Sequence, residues 1–230
     1  MAETREPQYE VCFDVLRTAG RASFGLMSNQ VWHEDPKRLV FLLARYKFVA
    51  KMFSGLSRVL EVGCADAFGT RVVRQEVPHV TAVDFDPLFI DDGKQRTDAR
   101  WPVETRVHDM LAGPVPGGFD GAYALDVLEH IPAAQEDQFV GNMAASLREH
   151  GAIILGMPSL QSQAYASPPS RAGHVNCKDG KGLKETVQRF FHNVFIFSMN
   201  DEVVHTGFHA MAHYLIALGC NKKQPTMCNK

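Results

Sequence analysis

The sequence predicts an α/β protein built on a doubly wound, mostly parallel sheet of seven strands that closes with an antiparallel hairpin. Three observations predict it. Short apolar strands alternate with helical segments from Arg58 to Met157, the pattern of crossover connections and a parallel sheet. The stretch Arg58 to Asp84 reads strand, small-residue turn, helix, strand, and stops on an acid. Two late strands follow one another without a helix between them, the connection that antiparallel neighbours make.

The opening residues are polar, with a short helix over Val11 to Leu16, and "SFGLMSNQVWHE" reads as irregular and aromatic. Asp35-Pro36 is a helix start, because an acid accepts from free N–H groups and Pro fits the first turn. Leu39, Val40, Leu43, Tyr46 and Val49 then recur at helical spacing to about Met52, and Gly55 ends the run. Strands are expected at Arg58–Val62, Val80–Val83, Thr105–His108, Phe119–Leu125 and Ala152–Met157. Helices are expected at Phe68–Gln75, from Pro87 to about Thr97, at Pro132–Glu149 broken by Gly151, and at Gly182–Phe191. Val194–Phe197 and Ala212–Leu218 form the final hairpin. Residues 159–177, rich in Ser, Pro and Gly, read as a long binding loop or lid, and 199–211 as a second loop beside it. The whole chain, 1–230, is expected to be one domain, with residues 1–55 a helical cap.

Hydrophobic residues are 45% of the chain, charged residues 22%, and the formal net charge is −2. With a pI near 6.5 and no basic stripe, no nucleic-acid partner is expected. Five widely spaced cysteines without a C-x-x-C pair fit reduced thiols. Cys64, with no cation near it in sequence, reads as a space-filler. No signal peptide and no membrane-spanning run is visible, so the expected location is the cytoplasm. Oligomeric state is not legible.

Asp84 lies about 20 residues beyond Gly63, the spacing of an acid that accepts from both hydroxyls of a ribose. A dinucleotide fold would need G-x-G-x-x-G so that a helix end can approach a pyrophosphate. Here the three positions hold Gly63, Ala65 and Phe68, and Phe68 blocks that approach. Together with the missing Tyr-x-x-x-Lys pair, this disfavours an NAD-dependent reductase. "EVGCADAFG" and "YALDVLEHI" instead resemble the two signatures of class I S-adenosylmethionine (SAM) methyltransferases, whose Rossmann-like fold would cover Arg58 to about Leu218.

The resemblance implies SAM as cofactor. It aligns Glu61 with the acid of the first signature and Gly63 with its first glycine. Ala65 and Ala67 stand where glycines are commonest, and Gly69 follows. It gives Asp84 and the adjoining Phe85 to the nucleoside, Asp109 to the adenine amine, and the backbone N–H of Met110 to a ring nitrogen. Asp126 falls beside the methionine part, and Trp32, with Asn29 and Gln30, in a segment that covers the cofactor.

For methyl transfer, His130 has two readings: a general base for a substrate hydroxyl, or a helix-cap residue before Pro132. His174, in the long loop, is the second catalytic candidate. Tyr165, Asn176, Asn200, His205 and His209 are candidate substrate contacts; ordinary loop polarity is the competing reading. His205, His209 and His213 recur every four residues and would share a helix face able to bind a metal. Gly207 and the β-like run that follows argue against that helix, so no metal is expected, and His213 reads as structural. The implied function is methylation of a small polar metabolite, sugar-like or anionic, at a hydroxyl. A non-catalytic SAM-binding module is the alternative.

Overall fold

The computed structural model describes residues 4–224. Three helices, α1 (Glu10–Ala19), α2 (Leu26–Glu34) and α3 (Pro36–Met52), precede the sheet. The alternating section follows as β1 (Arg58–Val62), α4 (Thr70–Arg74), β2 (His79–Asp84), α5 (Pro87–Gln95), β3 (Glu104–Val107), β4 (Phe119–Leu125), α6 (Glu136–Ser146) and β5 (Leu147–Pro158). The chain ends through α7 (Pro168–Gly173), α8 (Gly180–Gln188), β6 (Phe191–Asn200), β7 (Val203–His205) and β8 (Tyr214–Lys222).

The eight strands stand in the order β3-β2-β1-β4-β5-β8-β6-β7. The first five neighbours in this order pair parallel, and β8 is antiparallel to both β5 and β6. The order reverses direction at β1 and β4, so their carboxyl ends part and leave a crevice, the place where α/β sheets receive ligands.

Alternating side chains sort into two apolar layers, as a sheet covered on both faces requires. On one face Leu60, Val62, Ala122, Ala124, Ile153 and Leu155 pack under Phe139, Val140 and Met143 of α6 and Leu183 and Val187 of α8. On the other, Val59, Val80, Tyr123, Ile154 and Ile216 pack under Tyr46, Val49, Ala50 and Phe53 of α3 and Val73 of α4. Thus α3 is part of the core layer. Only the segment before it is free to act as a cap, and α1 buries no side chain. No helix among the described residues is long and apolar enough to cross a membrane.

Four differences from the expected elements have local causes. An eighth strand, β7, folds back on β6 through a turn with Asp201 in the left-handed region (φ 50°); three residues are too few to show a period. The helix expected to run to Glu149 stops at Ser146. The Ser146 hydroxyl turns back onto the Asn142 carbonyl at 2.9 Å, receives the Val115 N–H at 2.9 Å, and Leu147 enters the strand. The stretch read as irregular contains α2, held by tertiary contacts described below. The loop 159–177 contains α7, which Ser167 caps by accepting from the Ser170 N–H.

Candidate active site

The crevice begins at the turn after β1. Gly63, Ala65 and Ala67 all have positive φ, at 73°, 45° and 53°. The turn thus places two alanines in a conformation that favours glycine. At Gly63 a Cβ would also collide with Val127.

Asp84, at the end of β2, is buried and fixes this turn. Its Oδ2 accepts the Ala65 N–H at 2.8 Å and its Oδ1 the Asp86 N–H at 3.0 Å. A carboxylate has about four lone-pair sites, so about one remains on each oxygen. Those two sites suit the paired hydroxyls of a ribose. Phe85, next in the chain, is 75% exposed at the rim. Asp109 follows β3 and accepts the Leu111 N–H at 2.8 Å, while the Met110 side chain is buried in the core.

The segment before α3 is tied to the same turn. Asp66 accepts the Ser28 N–H at 2.7 Å and the Phe68 N–H at 3.0 Å, and Asp92 accepts the Leu26 N–H at 3.1 Å. Phe24 stacks on Trp32 at 5.4 Å and meets Phe68 at 5.3 Å. Trp32 therefore reaches the turn through Phe24. The sequence contained no local signal for this, because Asp66 and Asp92 lie far along the chain.

Two residues expected to face the cofactor are committed to packing. The Glu61 carboxylate, 2% exposed, accepts hydroxyl protons from Tyr46 at 2.8 Å, Tyr123 at 2.7 Å and Thr70. It pins α3, α4 and β4 beneath the turn, and burial pushes its carboxyl up to about 7. At Gly69 a Cβ would collide with the Tyr46 ring, so the glycine admits that ring. Cys64 is buried, and burial pushes its thiol up, so it is no nucleophile.

At the carboxyl end of β4 the chain turns sharply through Asp126, whose φ is 58°. Arg45 of α3 meets Asp126 at 2.6 Å and lies 3.7 Å over the Tyr214 ring. A short 3-10 turn, Leu128–His130, follows. The Glu129 carbonyl accepts the N–H groups of Val175 and Asn176 at 2.8 and 3.0 Å, which brings the long loop to this point. The rings of His130 and His174 then lie 5.2 Å apart, edge to face. His130 makes no capping bond to the helices that follow Pro132; its Nδ1 instead meets the carbonyl of Gly173, the last residue of α7, at 2.9 Å.

The other candidates lie elsewhere. The Asn176 amide donates to Glu136 at 2.8 Å and accepts from Lys178 at 3.1 Å, inside a buried network that includes Thr186 and Arg189. It is therefore unavailable as the expected substrate contact. Asn200 and His205 bond each other at 3.0 Å on the β6–β7 hairpin. That hairpin is three to four strands from β4 at roughly 4.8 Å per strand. His209 rests against Gly180 of α8, and with Lys181, Lys184 and Thr206 lines a separate cavity of about 520 Å³. Tyr165 is 91% exposed. His205, His209 and His213 occupy a strand, a 3-10 turn and the residue before β8, so they share no helix face; the His213 ring is 6.1 Å from Phe41.

A family model described as "Methyltransferase domain" matches residues 59–151. The N-methyltransferase NodS from Bradyrhizobium japonicum WM9, solved with S-adenosyl-L-homocysteine, superposes with a TM-score of 0.60 at 19% identity. The superposition covers 94% of this chain and 99% of that one. Over residues 59–151 in sequence, and in fold, the chain is similar to class I SAM-dependent methyltransferases. SAM is the cofactor of this family. A TehB-like SAM-dependent methyltransferase from Corynebacterium glutamicum shares the fold at TM-score 0.59 and 17% identity, over 94% of this chain and 97% of that one. A curated relative, the ubiquinone biosynthesis O-methyltransferase of Xanthomonas campestris pv. campestris (strain B100), is 27% identical over 156 residues. That match spans 62% of this chain and 62% of the relative. Methyltransferases of this class share the parallel half of the sheet and the antiparallel closure; β7 is an edge strand added to the seven expected.

Proposed function

We propose that the protein transfers the methyl group of SAM to a hydroxyl of a small polar acceptor, sugar-like or anionic. The observation that carries this reading is the grouping of Glu129, His130 and His174 beside the crevice between β1 and β4. In the reaction the acceptor oxygen attacks the methyl carbon, the carbon–sulfur bond breaks, and its electrons neutralise the sulfonium. The hydroxyl proton must go elsewhere. Amines need no such help when they enter neutral, whereas a hydroxyl gains about a hundred- to ten-thousand-fold from a placed proton acceptor. His130 and His174 are the imidazoles at hand. Loss of solvent and the neighbouring His130 lower the His174 pKa, so His174 is a neutral acceptor at pH 7.

In this reading Asp84 takes the ribose hydroxyls, Phe85 the adenine face, Asp109 and the Met110 N–H the adenine edge, and Asp126 the methionine end. Trp32 and Phe24 close the turn against water. Alignment of methyl and acceptor contributes most to rate, up to about 7–11 kcal/mol. The name of the Xanthomonas relative supports oxygen as the acceptor atom.

The test is incubation with SAM carrying a labelled methyl group and a panel of sugar alcohols, hydroxy acids, hydroxylated aromatic rings and matched amines. Acceptor-dependent release of S-adenosyl-L-homocysteine, with the label on oxygen, is expected. Label on amines alone would overturn the choice of oxygen. SAM binding without transfer to any acceptor would favour a non-catalytic module.

A further inference from the structure

The Glu129 side chain is fully buried, and among the described residues neither carboxylate oxygen has a hydrogen-bond partner. An isolated buried carboxylate is strongly disfavoured unless it is protonated or compensated by a cation. The nearby guanidinium of Arg45 is bonded to Asp126, whose own negative charge opposes ionisation of Glu129.

The two histidines beside Glu129 are oriented in matching fashion. His130 Nδ1 lies 2.9 Å from the Gly173 carbonyl, and His174 Nδ1 lies 2.8 Å from Gln163 Oε1. Both partners are acceptors, so both Nδ1 atoms carry the proton and both Nε2 atoms keep a free lone pair. The Gln163 orientation is itself fixed, because its Nε2 donates to the Ser159 carbonyl at 3.3 Å. A carbonyl-type oxygen behind the far nitrogen is how metal-binding histidines are held. One ligand atom from each of Glu129, His130 and His174 lies within 4.8 Å of the other two. Around a small cation, with bonds near 2.0–2.1 Å, such atoms sit about 3.4 Å apart, so small side-chain rotations suffice.

We propose that Glu129, His130 and His174 bind a divalent transition-metal cation. Two imidazoles and one carboxylate are the donor set of such ions, and three protein ligands leave a position open. The cation gives the orphaned carboxylate its counter-charge. The proposal rests on the hydroxyl-methylation reading for its purpose. An acceptor hydroxyl in the open position loses its proton to water more readily, the imidazoles then serving as ligands, and the oxygen attacks the methyl group.

The experiment titrates chelator-stripped full-length protein with Co²⁺ and follows its visible absorption, with SAM affinity measured by calorimetry on the same samples. One equivalent of Co²⁺ is expected to bind, displaceable by Zn²⁺. Glu129→Gln and His174→Gln should each abolish stoichiometric binding while SAM affinity stays within about twofold. Gln163→Leu, which removes only the support behind His174, should weaken Co²⁺ about tenfold or more. Should Glu129→Gln fail to fold, the loop variants His174→Gln and Gln163→Leu carry the test. Absence of stoichiometric binding in the wild type, or unchanged affinity in the folded variants, overturns the proposal. Co²⁺ binding without SAM binding supports the cation site and defeats the methylation reading. SAM-dependent transfer undiminished in stripped protein defeats the cation and spares that reading.

Discussion

The backbone N–H of Ala65 donates to Oδ2 of Asp84 across 2.8 Å. One carboxylate thus fixes the turn after β1 and presents its remaining lone pairs to the crevice. Asp84→Ala should therefore weaken SAM binding twice over, by removing the proposed ribose acceptor and by freeing the turn. Two hydrogen bonds to a charged group are worth about 3 kcal/mol or more, so the dissociation constant should rise about a hundredfold. Calorimetry on the folded variant measures it; unchanged affinity would move the ribose contact to another side chain.

Ala65 and Ala67 keep the turn at φ 45° and 53° despite their methyl groups. An L-residue there costs about 1–2 kcal/mol, and glycine costs about 0.4–1 kcal/mol through the freedom of its unfolded chain. The conformational gain wins. Ala65→Gly and Ala67→Gly should each stabilise the protein by about 0.5–1 kcal/mol in urea unfolding. A loss of stability would mean that the methyl groups contribute packing that outweighs the backbone strain.

Burial raises the folded-state pKa of Glu61 to about 7 from an ordinary value of 4.5. Between those values the folded protein holds a proton that the unfolded chain releases, so stability falls as pH rises through this window. At about 1.36 kcal/mol per pH unit, the loss approaches about 3 kcal/mol by pH 7. Below pH 4.5 the contribution is fully present. Urea unfolding from pH 4.5 to 7.5, compared with Glu61→Gln, should show a decline in the wild type that the variant lacks. Parallel profiles would place the carboxylate in the ionised form throughout.

The parallel half of the sheet was legible because β1, β2, β4 and β5 are apolar runs bounded by turn residues, and because helix starts such as Asp35-Pro36 and Asp86-Pro87 carry their own caps. The roles of Glu61 and Asn176 were not legible. Both are polar residues in or near motifs, and only the fold brings Tyr46 and Tyr123 to one and Glu136 to the other. The isolation of the Glu129 carboxylate was not legible for the opposite reason. Its lack of partners among the described residues is a property of the folded surroundings, which the Leu-Glu-His motif does not encode. The wide separation of His205 and His209 from His130 follows from strand order, which a linear spacing of histidines does not encode.

Asn176 donates to Glu136 at 2.8 Å within a buried cluster that also holds Lys178, Thr186 and Arg189. Asn176→Ala removes one partner of a buried charged group and should cost about 1–3 kcal/mol of stability. SAM affinity should stay within about twofold, and any change in turnover should follow the folded fraction. A large rise in acceptor KM with normal stability would return Asn176 to the substrate site.

His130 is exposed at the crevice, held by the Gly173 carbonyl at 2.9 Å, and faces His174. It contributes nothing to the core layers, so His130→Ala should leave unfolding free energy within about 0.5 kcal/mol. Whether the imidazole takes the proton itself or holds a cation that acidifies the hydroxyl, its loss falls on the step in which the acceptor attacks. The variant should therefore lower kcat by about a hundredfold or more while SAM affinity stays near the wild-type value. Single-turnover methyl transfer with saturating SAM reads that step directly. Normal single-turnover rates in His130→Ala would remove the imidazole from the chemistry, and Glu129 and His174 would then have to account for it.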